Sequence, residues 1–147
     1  MLPVRRILLC WLAVGTIALM TAGCGSQSAD ERLNLKLDEL QDGLEARSTD
    51  RVMDVLHSDF QARGELDRDW ARRTMTLMFL QNQRVNVLVI NQETAIDPVY
   101  DGQAVTQAQV SLSGAERFIP DSARVYSVTL NWLEEDGDWQ LHRLTWK

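Results

Sequence analysis

The spacing of apolar residues changes once along the chain, near Gln81, and this change limits the possible folds more than any other feature. Before it, apolar residues recur every three to four positions, as on one face of a helix. After it, they alternate at every second position, as in half-buried strands. The pattern predicts helices over residues 29–46, 49–57 and 67–81, and strands over residues 84–96, 103–113, 123–134 and 138–146. This order indicates an α+β domain in which the helices pack on one face of a curved antiparallel sheet.

The first helix has the clearest signals. Ser28 and Glu31 fit a capping box, in which a hydroxyl and a carboxylate satisfy the first helical N–H groups. One stripe of the helix consists of Leu33, Leu37, Leu40 and Leu44. Such a stripe either packs into the core or binds a partner, and we expect core packing, which is the usual fate of an amphipathic helix face.

The strands predicted over residues 84–96 and 103–113 are expected to form a hairpin that turns at Asp101-Gly102. This pair is typical of a two-residue type I′ turn. In that register Glu93 lies opposite Val110, and Asp97 lies opposite Thr106. Both carboxylates would then share the apolar face of the sheet.

The last hairpin turns at Asp136-Gly137, for which we expect a three-residue loop ending at Gly137. This loop pairs Leu133 with Trp139 and Leu130 with His142. A shift of one residue in this pairing would exchange the two faces of the strand, so the length of the loop decides which side chains face the core. The predicted core face consists of Tyr126, Val128, Leu130, Trp132, His142, Leu144 and Trp146.

The N-terminus has the order of a secretory signal peptide. Arg5 and Arg6 precede a run without charges, residues 7–20, and residues 21–23 are small. Fourteen residues span about 21 Å as a helix. A bilayer core of about 30 Å needs roughly 20 residues, so we expect cleavage instead of a permanent transmembrane helix.

Thr21-Ala22-Gly23-Cys24 resembles the lipobox of bacterial lipoproteins at its last three positions, and Thr21 stands where leucine is common. The resemblance implies that Cys24 becomes the acylated first residue and inserts its lipid into a membrane. An ordinary signal peptide with an incidental cysteine is the alternative. Gly25 follows the cysteine, where aspartate would retain a lipoprotein in the inner membrane. In a Gram-negative cell the resemblance therefore implies the outer membrane, facing the periplasm.

The mature chain is acidic and has no thiol for folding. Residues 24–147 carry 13 basic and 21 acidic side chains, because the leader removes two arginines and no acid. This balance argues against nucleic acid as a partner. Cys10 leaves with the leader and Cys24 carries lipid, so no disulfide or thiolate metal site remains. We expect residues 24–28 to be a short tether and residues 29–147 to be a single domain.

The helical stripe, Asp59-Phe60 after the second helix and the closing segment 139–146 resemble the nuclear-transport-factor-2-like superfamily, with its cystatin-like cone. The resemblance implies a long N-terminal helix and a curved sheet that often enclose an apolar pocket. The superfamily contains isomerases, dehydratases and cyclases besides binding modules, so the fold does not select a function. No catalytic residue is carried over by a matching motif.

His142 is the first candidate for chemistry, because an imidazole on the core face could move a proton. A histidine at the sheet edge, bonded or partly exposed, is the structural alternative. Glu93 and Asp97 are weaker candidates, since apolar surroundings would raise their pKa values. The alternative for them is a solvated strand end near a turn. His57 and His142, the only histidines, lack zinc-type spacing, and we expect neither a metal nor a cofactor.

Two functional hypotheses follow. In the first, the domain is a non-catalytic module that binds a small apolar ligand or an envelope protein. In the second, it is a small isomerase, dehydratase or cyclase that uses His142 with Glu93 or Asp97. The predicted ligand pocket is lined by Trp70, Leu130, Trp132 and His142. A filled core would use the same residues, so the sequence leaves both possibilities open.

The lipobox generates a first testable prediction. Cells that express the protein should incorporate a fatty-acid analogue into it, and Cys24→Ser should abolish both labelling and membrane association. Mass spectrometry of the mature N-terminus is the direct measurement. A mature chain that begins at another residue, without acyl groups, would refute the lipoprotein prediction.

Overall fold

The computed structural model describes residues 27–113 and 124–147. The predicted signal peptide, Cys24 and the connection that contains Pro120 lie outside the described residues. Within the described ranges the helices are α1 (Ala29–Glu45), α2 (Thr49–Val55) and α3 (Arg68–Gln81). The strands in the same ranges are β1 (Leu56–Ala62), β2 (Leu66–Asp67), β3 (Asn86–Ile96), β4 (Gln103–Ser113), β5 (Arg124–Glu135) and β6 (Asp138–Trp146).

The described strands form one sheet in the order β2-β1-β6-β5-β4-β3, and the helices pack on its inner, concave face. The predicted α+β class is therefore confirmed. The sheet is mixed, because β1 runs parallel to β6 while the other neighbouring pairs are antiparallel. The buried core joins α1 and α2 to the sheet through Leu33, Met53, Trp132, Trp139 and Leu141.

The first two strands were not predicted, and the second helix is shorter than predicted. Helix α2 ends at Val55, where β1 begins. The prediction extended the helix to residue 57 because β1 contains polar residues at most positions and buries its side chains irregularly. Its tertiary partner β6 makes it a strand, and Phe60 and Ala62 are its buried anchors.

Helix α1 begins as predicted. The hydroxyl of Ser28 accepts the N–H of Glu31 at 3.2 Å, and the Glu31 carboxylate accepts the N–H of Ser28 at 3.0 Å. Leu33 is fully buried, so the leucine stripe packs inward. Gly43 allows α2 to approach closely, because a Cβ atom at this position would lie 3.0 Å from Cγ2 of Val52.

The predicted register of the β3–β4 hairpin is wrong. The connection is a loop of residues 97–102 instead of a two-residue turn, and Glu93 pairs with Gln107. The carboxylate of Asp97 causes the difference, because it accepts the N–H groups of Val99 at 2.8 Å and Tyr100 at 3.0 Å. These bonds give the chain a wider turn than the Asp-Gly pair alone would form.

The predicted register of the β5–β6 hairpin is also wrong. Asp136 and Gly137 both have positive φ angles, 52° and 82°, and form a two-residue turn. A bulge in β6 then shifts the register, because Trp132 pairs with Leu141 whereas Asn131 pairs with Arg143. The residues of β6 that face the helices are Trp139, Leu141, Leu144 and Trp146.

The packing of α1 generates a second prediction. Leu33→Ala should lower the free energy of unfolding by about 2–5 kcal/mol, because it opens a cavity at a fully buried site. Leu35→Ala is the matched control on the same helix: Leu35 is 47% exposed, and its truncation should cost less than about 0.5 kcal/mol. Urea unfolding of the two variants measures both values, and equal losses would contradict this packing.

Candidate ligand-binding cavity

A cavity of about 420 Å³ lies between the helices and the inner face of the sheet. Helix α1 provides one wall through the C-terminal half of its leucine stripe, and α3 provides the opposite wall. Strands β1 and β3 to β6 form the floor. A volume of this size falls within the range of pockets that hold small organic ligands.

The cavity wall is almost entirely apolar. Five of the described lining side chains are polar: Gln41, Thr74, Gln92, Thr106 and Tyr126. The others, among the described residues, are aliphatic, aromatic or methionine side chains. The apolar lining from the helices comes from Leu37, Leu40, Leu44, Val52, Trp70, Ala71, Met75 and Met78. The apolar lining from the sheet comes from Leu56, Phe60, Val87, Val89, Ala108, Val110, Leu112, Val128, Leu130, Leu141, Leu144 and Trp146.

Two of the polar lining residues are already engaged by the protein. The Thr106 hydroxyl accepts the indole N–H of Trp132 at 3.1 Å and shares a hydrogen bond with the Thr94 hydroxyl at 2.9 Å. The Gln41 amide donates to the carbonyl of Val87 at 3.2 Å. These bonds hold the wall in place and satisfy buried polar groups that would otherwise destabilise it.

In the part of the chain that the structure describes, the cavity is closed at one end and open at the other. Exposure rises along β4, from 0% at Thr106 to 8% at Ala108 and 39% at Leu112. The mouth therefore lies where β3 begins and β4 ends, near the C-terminal end of α3. Trp146 stacks on Trp70 at 6.5 Å between ring centroids, which joins β6 to α3 across one side of the cavity.

The pocket residues predicted from the sequence are only partly brought together. Trp70 and Leu130 line the cavity. Trp132 is buried beside Thr106 in the closed end and is not part of the described lining. The sequence prediction omitted the lining leucines of α1 and Met75 of α3, although their helical spacing could have identified them.

His142 lies outside the described cavity lining, which corrects its predicted position. It is the extra residue of the bulge in β6, because it has no partner between Leu141 and Arg143 in the register with β5. Its ring packs edge-on against the ring of His57, with 5.2 Å between the two ring centroids. Burial first, and then the neighbouring Arg143 and His57 side chains, lower the pKa of His142 below its ordinary value.

Glu93 also faces away from the cavity. A second bulge, at Ile90 of β3, reverses the alternation of the strand, since Val89 pairs with Val110 but Asn91 pairs with Gln109. Glu93 then pairs with Gln107 on the outer face and is exposed.

Asp97 belongs to the β3–β4 loop and is not on the concave face. Hydrogen bonds from the N–H groups of Tyr100 and Val99 lower its pKa, contrary to the predicted raised value. Its carboxylate therefore organises the loop. His142, Glu93 and Asp97 do not converge on one site.

Among residues 27–113 and 124–147, no helix has the length and apolar character that a bilayer span needs. In the same part of the chain, no cluster of three or more histidine, cysteine or carboxylate side chains has an arrangement suited to a metal ion.

Comparison with solved structures shows the fold. The chain superposes on the NTF2-like protein from Cytophaga hutchinsonii with a TM-score of 0.65 and 12% identity, covering 82% of this chain and 98% of that one. The hexachlorocyclohexane dehydrochlorinase LinA-type3 from Novosphingobium barchaimii gives a TM-score of 0.62 and 12% identity, with 81% and 85% covered. Bd1075 from Bdellovibrio bacteriovorus gives 0.67 and 10% identity; the match covers 78% of this chain and only 40% of Bd1075.

No protein-family model matches the sequence, and no curated protein matches it. The fold is thus that of NTF2-like and cystatin-like proteins, as the sequence resemblance predicted. At these identities the similarity concerns the backbone arrangement. Its neighbours include enzymes, so a ligand-binding or an enzymatic role is compatible with the fold.

The environment of His142 generates a prediction about pH. Because its pKa is lowered in the folded protein, the unfolded chain binds a proton at higher pH, near the ordinary value of 6.5. The folded state should therefore lose stability as the pH falls from about 7 through the lowered pKa, and lose nothing more from this group below it. His142→Gln should weaken this acid dependence. Urea unfolding at several pH values measures it, and parallel curves for the two proteins would contradict the assignment.

Proposed function

We propose that the protein is a cell-envelope lipoprotein whose cone binds a small apolar ligand without transforming it. The single observation that carries this proposal is the cavity wall, which is apolar over nearly its whole described surface. Water in such a cavity would find few hydrogen-bond partners, whereas an apolar ligand would gain contacts on every side. Binding of a protein partner would instead need an extended surface on the outside of the domain.

The ligand that fits this cavity is small and has few polar atoms. A volume of about 420 Å³ accommodates a compact ring system or a folded acyl chain. Thr74, Gln92 and Tyr126 are the polar lining residues that would orient it by one or two hydrogen bonds. The thioethers of Met75 and Met78 would adapt to its shape, because methionine side chains are flexible and polarisable.

The positions of the titratable groups favour binding over catalysis. The enzymatic hypothesis required His142 to act with Glu93 or Asp97, and the three groups occupy a bulge, the outer face of the sheet and a loop. A general acid or base must lie within about 3 Å of the atom it protonates or deprotonates. None of the three belongs to the described lining, so this trio provides no support for proton transfer inside the cavity.

Membrane anchoring is the second part of the proposal. It rests on the lipobox-like segment that ends at Cys24 and on the apolar run before it. The proposed location is the outer membrane, facing the periplasm, if the cell is Gram-negative. Anchoring would hold a ligand carrier near the membrane, where apolar molecules concentrate.

Filling the cavity tests the binding proposal. Ala108→Phe places a ring inside the cavity and should weaken binding of the neutral apolar fluorophore N-phenyl-1-naphthylamine by roughly tenfold, the equivalent of about 1.4 kcal/mol. Gln107→Phe is the matched control, because the adjacent residue faces outward and should leave binding unchanged. Fluorescence titration measures both.

A melting curve for each variant shows whether it remains folded. If Ala108→Phe unfolds, the milder Val110→Leu, nearer the mouth, provides the same comparison. Folded wild-type protein that does not bind the fluorophore or any of a panel of apolar competitors would contradict the proposal. Equal loss of binding in Ala108→Phe and Gln107→Phe would also contradict it.

A further inference from the structure

The loop between β3 and β4 ends in two exposed apolar side chains. Val99 is 76% exposed and Tyr100 is 63% exposed. The Asp97 carboxylate accepts the N–H groups of both residues, and Pro98 restricts the backbone between them and the strand. The loop therefore presents these two side chains outward in an ordered conformation, although exposing them to water is unfavourable.

This loop lies at the same end of the domain as the N-terminus of α1. The carbonyl of Gly102 accepts the N–H of Glu134 at 2.8 Å. The Glu134 carboxylate forms an ion pair with Arg32 of α1, and Arg32 also donates to the carbonyl of Gln27 at 2.7 Å. A continuous series of contacts thus connects the loop to Gln27.

Gln27 is three residues after Cys24. At about 3.6 Å per extended residue, the proposed lipid attachment point lies within roughly 11 Å of Gln27 along the chain. A tether this short keeps the loop end of the domain close to any membrane that holds the lipid. The opposite end, which carries the cavity mouth, would then face the aqueous phase.

We propose that Val99 and Tyr100 insert into the surface of the same bilayer that holds the acyl groups of Cys24. This inference rests on the proposed anchoring and adds a second, protein-mediated contact with the membrane. Tyrosine suits the interface, because its ring enters the apolar region while its hydroxyl remains among the headgroups. The acyl groups hold only the N-terminus at the bilayer, and a second apolar contact would stabilise one orientation of the domain.

The charges around the loop identify the kind of lipid surface. Asp97 and Asp101 flank the two apolar residues, and Asp136 lies in the neighbouring turn. These carboxylates would be repelled by anionic headgroups. The contact is therefore apolar in origin and suits a bilayer of zwitterionic lipids.

The experiment uses the full-length protein, purified in detergent and reconstituted into phosphatidylcholine vesicles. Val99→Cys receives a nitroxide label, and Leu80→Cys is the control, since Leu80 is an equally apolar exposed residue on α3 at the mouth end. Mass spectrometry first establishes whether Cys24 carries acyl groups. Electron paramagnetic resonance then measures how readily oxygen, which enters bilayers, and a water-soluble nickel complex reach each label.

On vesicles, the label at position 99 should become at least about threefold less accessible to the nickel complex and more accessible to oxygen, as expected for entry into an apolar phase. The label at position 80 should be unchanged. If Cys24 is acylated but both labels remain equally accessible to nickel, this inference is wrong and the anchoring proposal survives. Absence of acyl groups overturns both. Spin–spin broadening between labels at position 99 would indicate a second protein copy on the loop and would also overturn it.

Discussion

Two extra residues, Ile90 in β3 and His142 in β6, decide which side chains of the sheet face the helices. Each forms a bulge that reverses the alternation of its strand at one point. Without the first bulge, Glu93 would share a face with Val87 and Val89, as a regular strand requires. With it, Gln92 takes the inner position. The bulges also increase the local twist, so the sheet curves around α1 and α3.

The curved sheet divides the domain into a packed end and a hollow end. At the packed end, Leu33, Trp132, Trp139 and Leu141 are almost completely buried. The indole N–H of Trp132 bonds to Thr106, and that of Trp139 bonds to the carbonyl of Ala29 at 3.2 Å. At the hollow end, the same inner face lines the cavity. Five residues of the buried core, Leu56, Phe60, Ala71, Leu130 and Leu141, also line the cavity. Part of the lining therefore contributes to the stability of the fold as well.

Local signals in the sequence predicted much of this structure. The capping box of α1 and Asp67 at the start of α3 fixed the beginnings of both helices, because side-chain caps act within three residues. The features that were missed depend on distant contacts. Strand β1 can be recognised only from its pairing with β6. The position of a bulge cannot be read from the alternation of apolar residues in one strand, because a bulge is defined by the pairing with the neighbouring strand. Of the residues predicted to line a pocket, Trp70 and Leu130, which were identified by their periodicity, lie in the cavity wall. The predicted position of His142 depended on a strand register that the bulge in β6 changes.

The central claim is that the space inside the cone is an apolar cavity in the folded protein instead of an incompletely packed core. Xenon binds selectively to dry apolar cavities and leaves polar, hydrated ones empty. A crystal structure of the protein under xenon pressure is therefore the most direct measurement. The account predicts xenon between α3 and the sheet, within contact distance of Trp70 and Leu130. A structure in which α3 has moved onto the sheet and leaves no space for xenon, or in which ordered water fills the cavity, would contradict it.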